Sequence, residues 1–512
     1  MYRDLFVHGK FSVRRAVQHA CVLAVSVGGL VAAGPCDIYG SHGTPCIAAH
    51  STTRALYAKY SERLYQVRRG SDQATTDILP ISAGGVADSA HQDSFCALTT
   101  CLITVIYDQS GRGNHLTQAP AGGAARGPEP GGFDSLSSAV GAPVKLGGKK
   151  AYGVFISPSD GYRNNAAVGT ASGDEPQGIY AVLDGTHYNA GCCFDYGNAE
   201  RDNNDSGDGK METIYFGDGG YKGSGSGPWI QADLENGLIP GPAEARNDGN
   251  PTISARFVTA MVKGKPKYFA IRGGDASSGA LSTIYSGARP KKYETMYKQG
   301  AILLGIGGDN SNSGQGTFYE GAMTSGYPSD EAEAEVQADI VDKAKYAVAP
   351  LAGGPLLRAG SRVSLRATTP CCTTRYVAHS GAAVRTEVVS SSSSGQLKRE
   401  ASWVVRDGLG FSGCVSFESV DAPGSFVRLS PERRLAVHPD DGSKGFREEA
   451  TFCPEAGLAG RGSSLRSWKY PTRYWRHFNN DMYGAGNGSP AYFDAHRVFN
   501  EDVTWEVGPG FA

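Results

Sequence analysis

An internal repeat in residues 361–512 constrains the fold of this chain more than any other feature. The segment "SLRATTPCCTTRYVAH" (364–379) matches "SLRSWKYPTRYWRH" (464–477), and "SFESVDAPGSFVRL" (416–429) lies between them. Each unit ends in an acidic residue followed by an aromatic one, in "EASW" from Glu400, "EATF" from Glu449 and "DVTW" from Asp502. A unit of about 50 residues cannot bury a core alone, so the three must share one. We predict a β-trefoil over residues 351–512, with an open solenoid as the alternative.

The preceding region, residues 34–350, has short apolar runs such as "CLITVIYDQSGRGNHL" that are broken by Gly, Asn and Asp. This rhythm is typical of a jelly-roll or concanavalin-like β-sandwich, so the whole chain is predicted to be all-β. One helix is expected after Ser329, with Val336, Ile340 and Tyr346 at helical spacing. The Pro/Gly-rich segment 349–360 predicts the boundary between the two domains.

The N-terminus predicts export. Basic residues precede an apolar run that ends in "LVAAG", which is typical of a signal peptide covering residues 1–33. The chain has 49 basic and 51 acidic residues, which argues against nucleic acid or an anionic membrane as partner. We expect a secreted, extracellular monomer.

Ten of the eleven cysteines lie beyond the predicted signal peptide, and an even number in an exported chain indicates disulfides. The short spacings predict the pairs Cys36–Cys46 and Cys96–Cys101, and Cys414–Cys453 would close a larger loop. Two adjacent doublets, Cys192-Cys193 and Cys371-Cys372, are unusual. The sequence does not decide whether Cys371 and Cys372 are oxidised to a disulfide. A bonded doublet is strained and is rarely only a stabilising device. No second Cys or His pair supports a zinc site. Asn204 and Asn487 begin glycosylation sequons.

The segment "GPWIQADLENGL" (227–238) is the first candidate for chemistry. Its period-two alternation predicts a strand that places Trp229, Asp233 and Glu235 on the polar face. An ordinary solvated strand face is the alternative. Two crowded carboxylates beside a Trp are also what a glycosidase needs, because crowding separates the pKa values of a nucleophile and an acid. The nearby Trp229 is then interpreted as a platform for a sugar ring.

The segment "AILLGIGGDNSNSGQGTFYEG" (301–321) supplies a second acid. An apolar strand ends in Gly307-Gly308, which allows close approach of the backbone to a ligand, and Asp309 follows. Taken alone, these residues indicate a turn at least as well as a site. Spacing alone cannot show that Glu235 and Asp309 meet.

Several motifs together resemble the α-L-arabinofuranosidases of glycoside hydrolase family 54. They are "GPCDIYGSHGTPCIAAHSTTRALY", "YDQSGRGNHLTQAP", "LDGTHYNAGCCFDYGNAE", "GPWIQADLENGL" and "GIGGDNSNSGQGTFYEG". The C-terminal repeats resemble carbohydrate-binding module family 42. The likeness extends over essentially all of the chain beyond the signal peptide.

The resemblance implies a secreted, retaining, exo-acting enzyme that releases arabinofuranosyl groups from plant cell-wall arabinoxylan and arabinan. Glu235 would be the nucleophile and Asp309 the general acid/base, with no metal or organic cofactor. Asp233, Asn236 and Gly308 would hold the sugar hydroxyls, and the bonded Cys192-Cys193 would pack against the sugar. Tyr221 lies in the Gly-rich segment where the family carries a Trp, and it is the candidate stacking platform.

In the binding module, the resemblance pairs an aromatic-and-His phrase with the later acid of each unit. The third unit keeps His477, Phe478 and Asp502, so we expect its pocket to bind arabinofuranose. The middle unit has Leu429-Ser430 where the resemblance implies His-Tyr, although Glu449 remains acidic, and its pocket is expected to bind sugar weakly or not at all. The first unit has His379 and Glu400 but also Cys371-Cys372, so the sequence does not decide whether its pocket binds sugar. The functional alternatives are a non-catalytic, lectin-like protein and a β-xylosidase on the same fold.

Overall fold

Antiparallel strands build two large sheets before residue 349 and a third after residue 361 in the computed structural model, which describes residues 33–349 and 356–512. Residues 1–32 of the predicted signal peptide and 350–355 of the predicted boundary lie outside the described residues. The mostly β architecture confirms the predicted fold class.

The strands of the first two sheets lie between residues 46 and 348. In chain order they are β1 (Cys46–Ser51), β2 (Tyr65–Arg69), β3 (Thr75–Ile78), β4 (Cys101–Ile106), β5 (Leu116–Gln118), β6 (Ala142–Leu146), β7 (Lys149–Ile156), β8 (Tyr162–Asn164), β9 (Gln177–Tyr188), β10 (Asp195–Ala199), β11 (Glu212–Gly217), β12 (Trp229–Asp233), β13 (Leu238–Ile239), β14 (Phe257–Lys265), β15 (Tyr268–Asp275), β16 (Ser282–Ala288), β17 (Ala301–Leu304), β18 (Gly316–Ser325) and β19 (Tyr346–Val348).

These strands form a sandwich. One sheet runs β16-β15-β14-β9-β18-β7-β6-β19, with β1 also paired to β18, and the other runs β13-β12-β11-β10-β17-β8-β5-β4-β2-β3. The main apolar core lies between them, where Ile179 and Val258 of the first sheet meet Ile214 and Ile230 of the second. Burial of apolar side chains from both inner faces is what holds two sheets together.

Six short α-helices accompany the strands within residues 33–349 and 356–512: α1 (Pro35–Ser41), α2 (Ser89–Phe95), α3 (Asp330–Asp339), α4 (Gly395–Glu400), α5 (Lys444–Glu449) and α6 (Phe499–Asp502). Helix α3 begins where predicted, because the Ser329 hydroxyl accepts a hydrogen bond from Ala332 N at 3.1 Å. It changes to a π-turn at Ile340, and Lys345 adopts a left-handed conformation. The predicted helical position of Tyr346 is therefore wrong, since this residue starts β19. Within the described ranges, no helix is both long and apolar enough to span a membrane.

The third sheet follows the threefold repeat. Its strands are β20 (Arg362–Ala367), β21 (Arg375–Ser380), β22 (Ala383–Val388), β23 (Trp403–Asp407), β24 (Val415–Ser419), β25 (Ser425–Leu429), β26 (Leu435–Pro439), β27 (Phe452–Ala456), β28 (Ser463–Ser467), β29 (Tyr474–Phe478), β30 (Asp481–Ala485) and β31 (Thr504–Pro509). The last strand returns to pair with β20 and β28. The aromatic residue after each repeated acid, Trp403, Phe452 or Trp505, is fully buried in one shared core. This arrangement is the predicted β-trefoil.

Residues 33–512 form one compact unit, so the boundary at residue 350 stays a prediction. Helix α5 of the trefoil contacts the sandwich, where Gln315 Nε2 donates to the Glu448 carboxylate at 3.0 Å. The structure pairs Cys36 with Cys46, Cys96 with Cys101, Cys414 with Cys453, and both adjacent doublets internally.

Candidate active site

Strand β12 carries Asp233 but ends there, before Glu235. All five of its residues are buried, so the alternative of an ordinary solvated strand face is wrong. Trp229 is fully buried, and its Nε1 donates to Ser224 O at 3.1 Å within the loop that covers the strand. The interpretation of Trp229 as a sugar platform is therefore wrong, because both faces of the strand are covered.

The sequence predicted that Glu235 continues the alternation of the strand, and this prediction is wrong, because Glu235 lies in the turn that follows the strand. Glu235 and Asn236 have φ values of 62° and 56°, in the left-handed region that non-glycine residues rarely adopt. Asp233 Oδ1 accepts from Glu235 N at 3.1 Å, and the Tyr293 hydroxyl donates to Glu235 O at 2.9 Å. These bonds hold a strained turn that directs the Glu235 side chain into the molecule, where the residue is 5% exposed.

The loop after β17 brings Gly308 and Asp309 to the same place. A Cβ atom added to Gly308 would lie 2.7 Å from Glu235 Oε2, so a larger residue at this position would displace that carboxyl. The next residue, Asp309, is half-buried, and its Oδ1 accepts hydrogen bonds from Ser311 N and Ser311 Oγ. Two segments that are far apart in the sequence therefore meet, because only β11 and β10 lie between β12 and β17 in the sheet.

Two further acidic residues, Asp195 and Glu200, lie in this site and were missed in the sequence. Asp195 begins β10 and Glu200 directly follows it, and both are buried. Burial raises the pKa of Asp195, with Asp233 as the second cause, and burial also raises the pKa of Glu200. The phrase "FDYGNAE" contains both acids at its ends, but period two does not distinguish them from ordinary strand residues.

The pKa values of the two predicted acids, Asp233 on β12 and Glu235 in the turn after it, are also raised. Burial raises the pKa of Asp233 to about 7, and burial followed by the neighbouring Glu200 carboxyl raises the pKa of Glu235. A group of carboxyls at this density retains protons at neutral pH, because ionising all of them would place like charges together in a poorly solvated site.

Arg163 on β8 is the cation that faces this carboxyl cluster, which we define as Asp195, Glu200, Asp233 and Glu235. Its Nη1 donates to Gly308 O at 2.7 Å and its Nη2 donates to Glu200 O. Both nitrogens therefore donate to backbone carbonyls and not to carboxylates. Burial lowers the pKa of Arg163 to about 10. In the described part of the chain, no ion pair joins Arg163 to an acidic side chain.

The Cys192-Cys193 doublet borders the cluster. Cys193 Sγ lies 3.6 Å from Asp233 Oδ2, and Cys193 N donates to Ser311 O at 3.0 Å. The doublet thus connects the Asp233 side of the site to the loop of Asp309. Tyr221 is 79% exposed, at the turn formed by Gly219–Tyr221. Asn236 is exposed and donates from Nδ2 to Asp205 Oδ1 at 3.1 Å.

A second candidate site lies in the third trefoil unit. The Thr369 hydroxyl is 2.8 Å from His477 Nε2 and donates to Asp502 Oδ1 at 2.8 Å. Arg476 pairs with Asp502 Oδ2 at 2.9 Å, and Phe478 is half-buried at the end of β29. Burial lowers the pKa of His477, so the imidazole is neutral near pH 7. The structure brings together His477 and Asp502, as expected, and adds Thr369.

The other two units differ. Glu449 contacts Arg428 and Lys469 at 2.5 and 2.9 Å, and Leu429 is buried. His379 contacts the Ser419 hydroxyl at 2.7 Å, whereas Glu400 accepts from Gln396. Among the residues described, no hydrogen bond or ion pair joins His379 to Glu400.

The two sequons have different surroundings. Asn204 is exposed on the loop that follows Glu200, whereas Asn487 is half-buried and its Oδ1 is 2.8 Å from His496 Nδ1. Glycosylation of either residue stays a prediction.

Comparisons with known proteins agree over both regions. Residues 35–347 match the family model described as "Alpha-L-arabinofuranosidase B, catalytic", and residues 365–507 match the "Alpha-L-arabinofuranosidase B (ABFB) domain". A probable alpha-L-arabinofuranosidase B of Aspergillus clavatus is 64% identical over 505 residues, which cover 98% of this chain and 99% of that protein. A protein of Trichoderma koningii named arabinofuranosidase/B-xylosidase is 63% identical over 502 residues, which cover 97% and 99%.

Solved structures give the same result. A GH54 α-L-arabinofuranosidase soaked with a cyclic sulfate inhibitor superposes with a TM-score of 0.92 at 60% identity, covering 94% of this chain and 100% of that one. An arabinofuranosidase complexed with arabinofuranosyl-alpha-1,2-xylobiose superposes with the same score, identity and coverage.

Proposed function

This chain belongs to glycoside hydrolase family 54, the α-L-arabinofuranosidase B family, and from that premise we propose how its residues release a terminal arabinofuranosyl group. The observation that carries the proposal is the meeting of Glu235 with the Gly308-Asp309 segment beside a buried carboxyl cluster. Glu235 is assigned as the nucleophile and Asp309 as the general acid/base.

The reaction proceeds by double displacement. Glu235 attacks the anomeric carbon while Asp309 gives its proton to the leaving oxygen, which forms a covalent arabinosyl-enzyme. Asp309 then takes a proton from water, and that water releases arabinose with retained configuration. This geometry requires the two carboxyls to lie ~5–5.5 Å apart when the substrate is bound.

The residues around the two acids bind the sugar. Asp233, Asn236 and the Gly308 backbone hold the furanose hydroxyls, and the Cys192-Cys193 doublet offers a rigid apolar surface to the ring. The support is that Cys193 Sγ lies 3.6 Å from Asp233 Oδ2. Tyr221 is exposed and free to stack on the group that leaves.

The substrates are arabinose-bearing polysaccharides of the plant cell wall, arabinoxylan and arabinan. A relative at 60% identity was solved with arabinofuranosyl-alpha-1,2-xylobiose, which is an arabinoxylan fragment. The third trefoil pocket, with His477, Phe478 and Asp502, binds arabinofuranose and keeps the enzyme on the polymer. We also propose that the protein is secreted as a monomer, since its N-terminal sequence and its paired cysteines suit export.

The test uses p-nitrophenyl α-L-arabinofuranoside and p-nitrophenyl β-D-xyloside, with the first product anomer followed by NMR. We expect faster cleavage of the arabinoside and retention. The name of the Trichoderma koningii relative makes the xyloside a necessary comparison. Inversion would contradict the mechanism, cleavage of neither substrate would indicate a lectin-like protein, and preference for the xyloside would indicate a β-xylosidase.

A further inference from the structure

Glu200 is the buried acid that the mechanism above does not use. Its side chain is fully buried directly after β10, and neither of its carboxyl oxygens has a hydrogen-bond partner among the described residues. Glu235 Oε2 is in the same situation. A Cβ atom added to Gly308 would overlap Glu200 Oε2 and lie 2.7 Å from Glu235 Oε2, so the two carboxyls are close neighbours.

Two buried carboxyls with unpartnered oxygens are costly when both are ionised. An unpaired buried charge loses its solvation, and a second like charge adds repulsion. One proton placed between two carboxyls removes one charge and supplies the missing donor. Burial raises the pKa of both groups, which agrees with a retained proton. The contact between the two carboxyls raises the pKa of Glu235 further and opposes the rise at Glu200, so the proton rests on Glu235 and must move to Glu200 before attack.

Other charged groups also face the Glu200–Glu235 pair, from every element packed against it. They are Arg163, Asp195, Asp202, Asp205, Asp233 and Asp309. Arg163 is the single cation in this set, and its guanidinium donates to the backbone carbonyls of Gly308 and Glu200. It therefore does not replace a hydrogen-bond donor to either carboxyl.

We propose that Glu200 is a positioning residue for the nucleophile: the two carboxyls share one proton, and the form with the proton on Glu200 frees Glu235 to attack. This inference rests on the proposed function of Glu235. It assigns to Glu200 a role that needs a neutral hydrogen-bond donor rather than a negative charge.

The proton stays in place during the reaction. Glu235 attacks as a carboxylate, its oxygen forms the bond to the anomeric carbon, and the glycosidic bond breaks with the Asp309 proton going to the leaving oxygen. Glu200 keeps its proton and donates a hydrogen bond to the free oxygen of the new ester. In the second step the water oxygen forms a bond to the anomeric carbon while Asp309 takes a proton from that water. The ester bond breaks, and Glu235 leaves as a carboxylate that Glu200 again stabilises.

The test compares Glu200→Gln with Glu200→Leu. Gln keeps a donor and the shape, so we expect kcat within about threefold of the wild type and an unmoved acidic limb of the kcat/KM profile. Leu removes the donor, so the Glu235 carboxylate becomes harder to form, and we expect the acidic limb to rise by about one pH unit. For the Leu variant, kcat at its own optimum should fall about 10- to 100-fold.

Glu331→Gln on helix α3 is the matched control, because it makes the same change at an exposed acid outside the carboxyl cluster. It should leave both limbs in place. Thermal unfolding of each variant shows whether it is folded, and Glu200→Met, which also lacks a hydrogen-bond donor, replaces the Leu variant if that variant does not fold.

Three results would overturn the inference. The first is a lower apparent pKa of the acidic limb in both Glu200 variants, which would mean that Glu200 is ionised and only repels Glu235. The second is the same apparent pKa of the acidic limb in the wild type and all variants. The third is loss of activity in Glu200→Gln. Glu235→Gln separates this failure from that of the proposed function. If Glu235→Gln is inactive while one of these results is found, only the role of Glu200 is wrong; if Glu235→Gln is active, the nucleophile assignment is wrong as well.

Discussion

The buried acids of the candidate active site and the acids of the trefoil have opposite surroundings, whereas other buried acids of the sandwich, such as Glu212 and Glu320, are paired with cations. In the sandwich, the carboxyl cluster of Asp195, Glu200, Asp233 and Glu235 faces one guanidinium that bonds to backbone. In the trefoil, buried or half-buried acids each have a cation at their carboxylate: Glu449 with Arg428 and Lys469, Glu455 with Arg466, Asp494 with Arg473, and Asp502 with Arg476.

The difference shows which acids can exchange protons and which cannot. A buried carboxyl without a cation keeps a proton up to a higher pH, so it can give or share that proton during catalysis. A carboxylate paired with Arg is ionised, and it can hold a structure together or accept hydrogen bonds from a sugar. The four predictions below test this contrast, beginning with the largest effect.

Glu235→Gln should abolish turnover of p-nitrophenyl α-L-arabinofuranoside, with a fall in kcat on the order of 10⁴-fold. Gln cannot form the covalent intermediate, yet it fits the same buried volume and needs no ionisation. The thermal midpoint should therefore stay the same or rise. Glu331→Gln on helix α3 is the control and should change neither quantity.

Asp309→Asn should lose less, and the loss should depend on the leaving group. General acid catalysis contributes about 10²- to 10⁴-fold, and a nitrophenolate leaves without much help from an acid. We expect a larger fall in kcat/KM on arabinoxylan than on the nitrophenyl substrate. Equal falls on the two substrates would contradict the assignment of Asp309 as the acid.

The third and middle trefoil pockets should differ in sugar binding, because their acids have different partners. His477→Ala should weaken binding to soluble arabinoxylan by about tenfold, because it removes a hydrogen bond at a buried pocket. Glu449→Gln should leave binding unchanged, since Arg428 and Lys469 already occupy its carboxylate. Calorimetry with an inactive Glu235→Gln background measures both. If Glu449→Gln binds more weakly and His477→Ala does not, our assignment of the pockets is reversed.

The sequence predicted the trefoil better than it predicted the site. Repetition of the acid-plus-aromatic phrase predicted the shared core, because each aromatic residue had to be buried together with its two equivalents. The structure adds that each acid ends a short helix, at Glu400, Glu449 or Asp502. A repeat contains information about long-range contacts, which a single strand does not.

The carboxyl cluster depends on contacts that no local pattern contains. Asp195 and Glu200 reach Asp233 and Glu235 because β10, β11 and β12 are neighbours in one sheet. The alternation around Trp229 was also misleading, since period two assumes that one face is solvated and here both faces are covered. The resemblance to a family indicated Glu235, Asp309 and Asp233 as site residues, but it did not indicate Asp195 or Glu200.

The smallest expected effect concerns stability against pH. Burial raises the pKa of Asp233 to about 7, above the ~3.9 of an unfolded Asp, so its contribution to stability is full below ~pH 4 and is lost as the pH rises through 7. Asp233→Asn removes this dependence, and its stability relative to the wild type should increase by up to about 1 kcal/mol per pH unit between those values. Asp494→Asn should instead cost about 2 kcal/mol throughout, because it leaves the buried Arg473 without its carboxylate. Urea unfolding at several pH values distinguishes the two, and parallel curves for both variants would mean that the sandwich and trefoil acids do not differ in the way proposed.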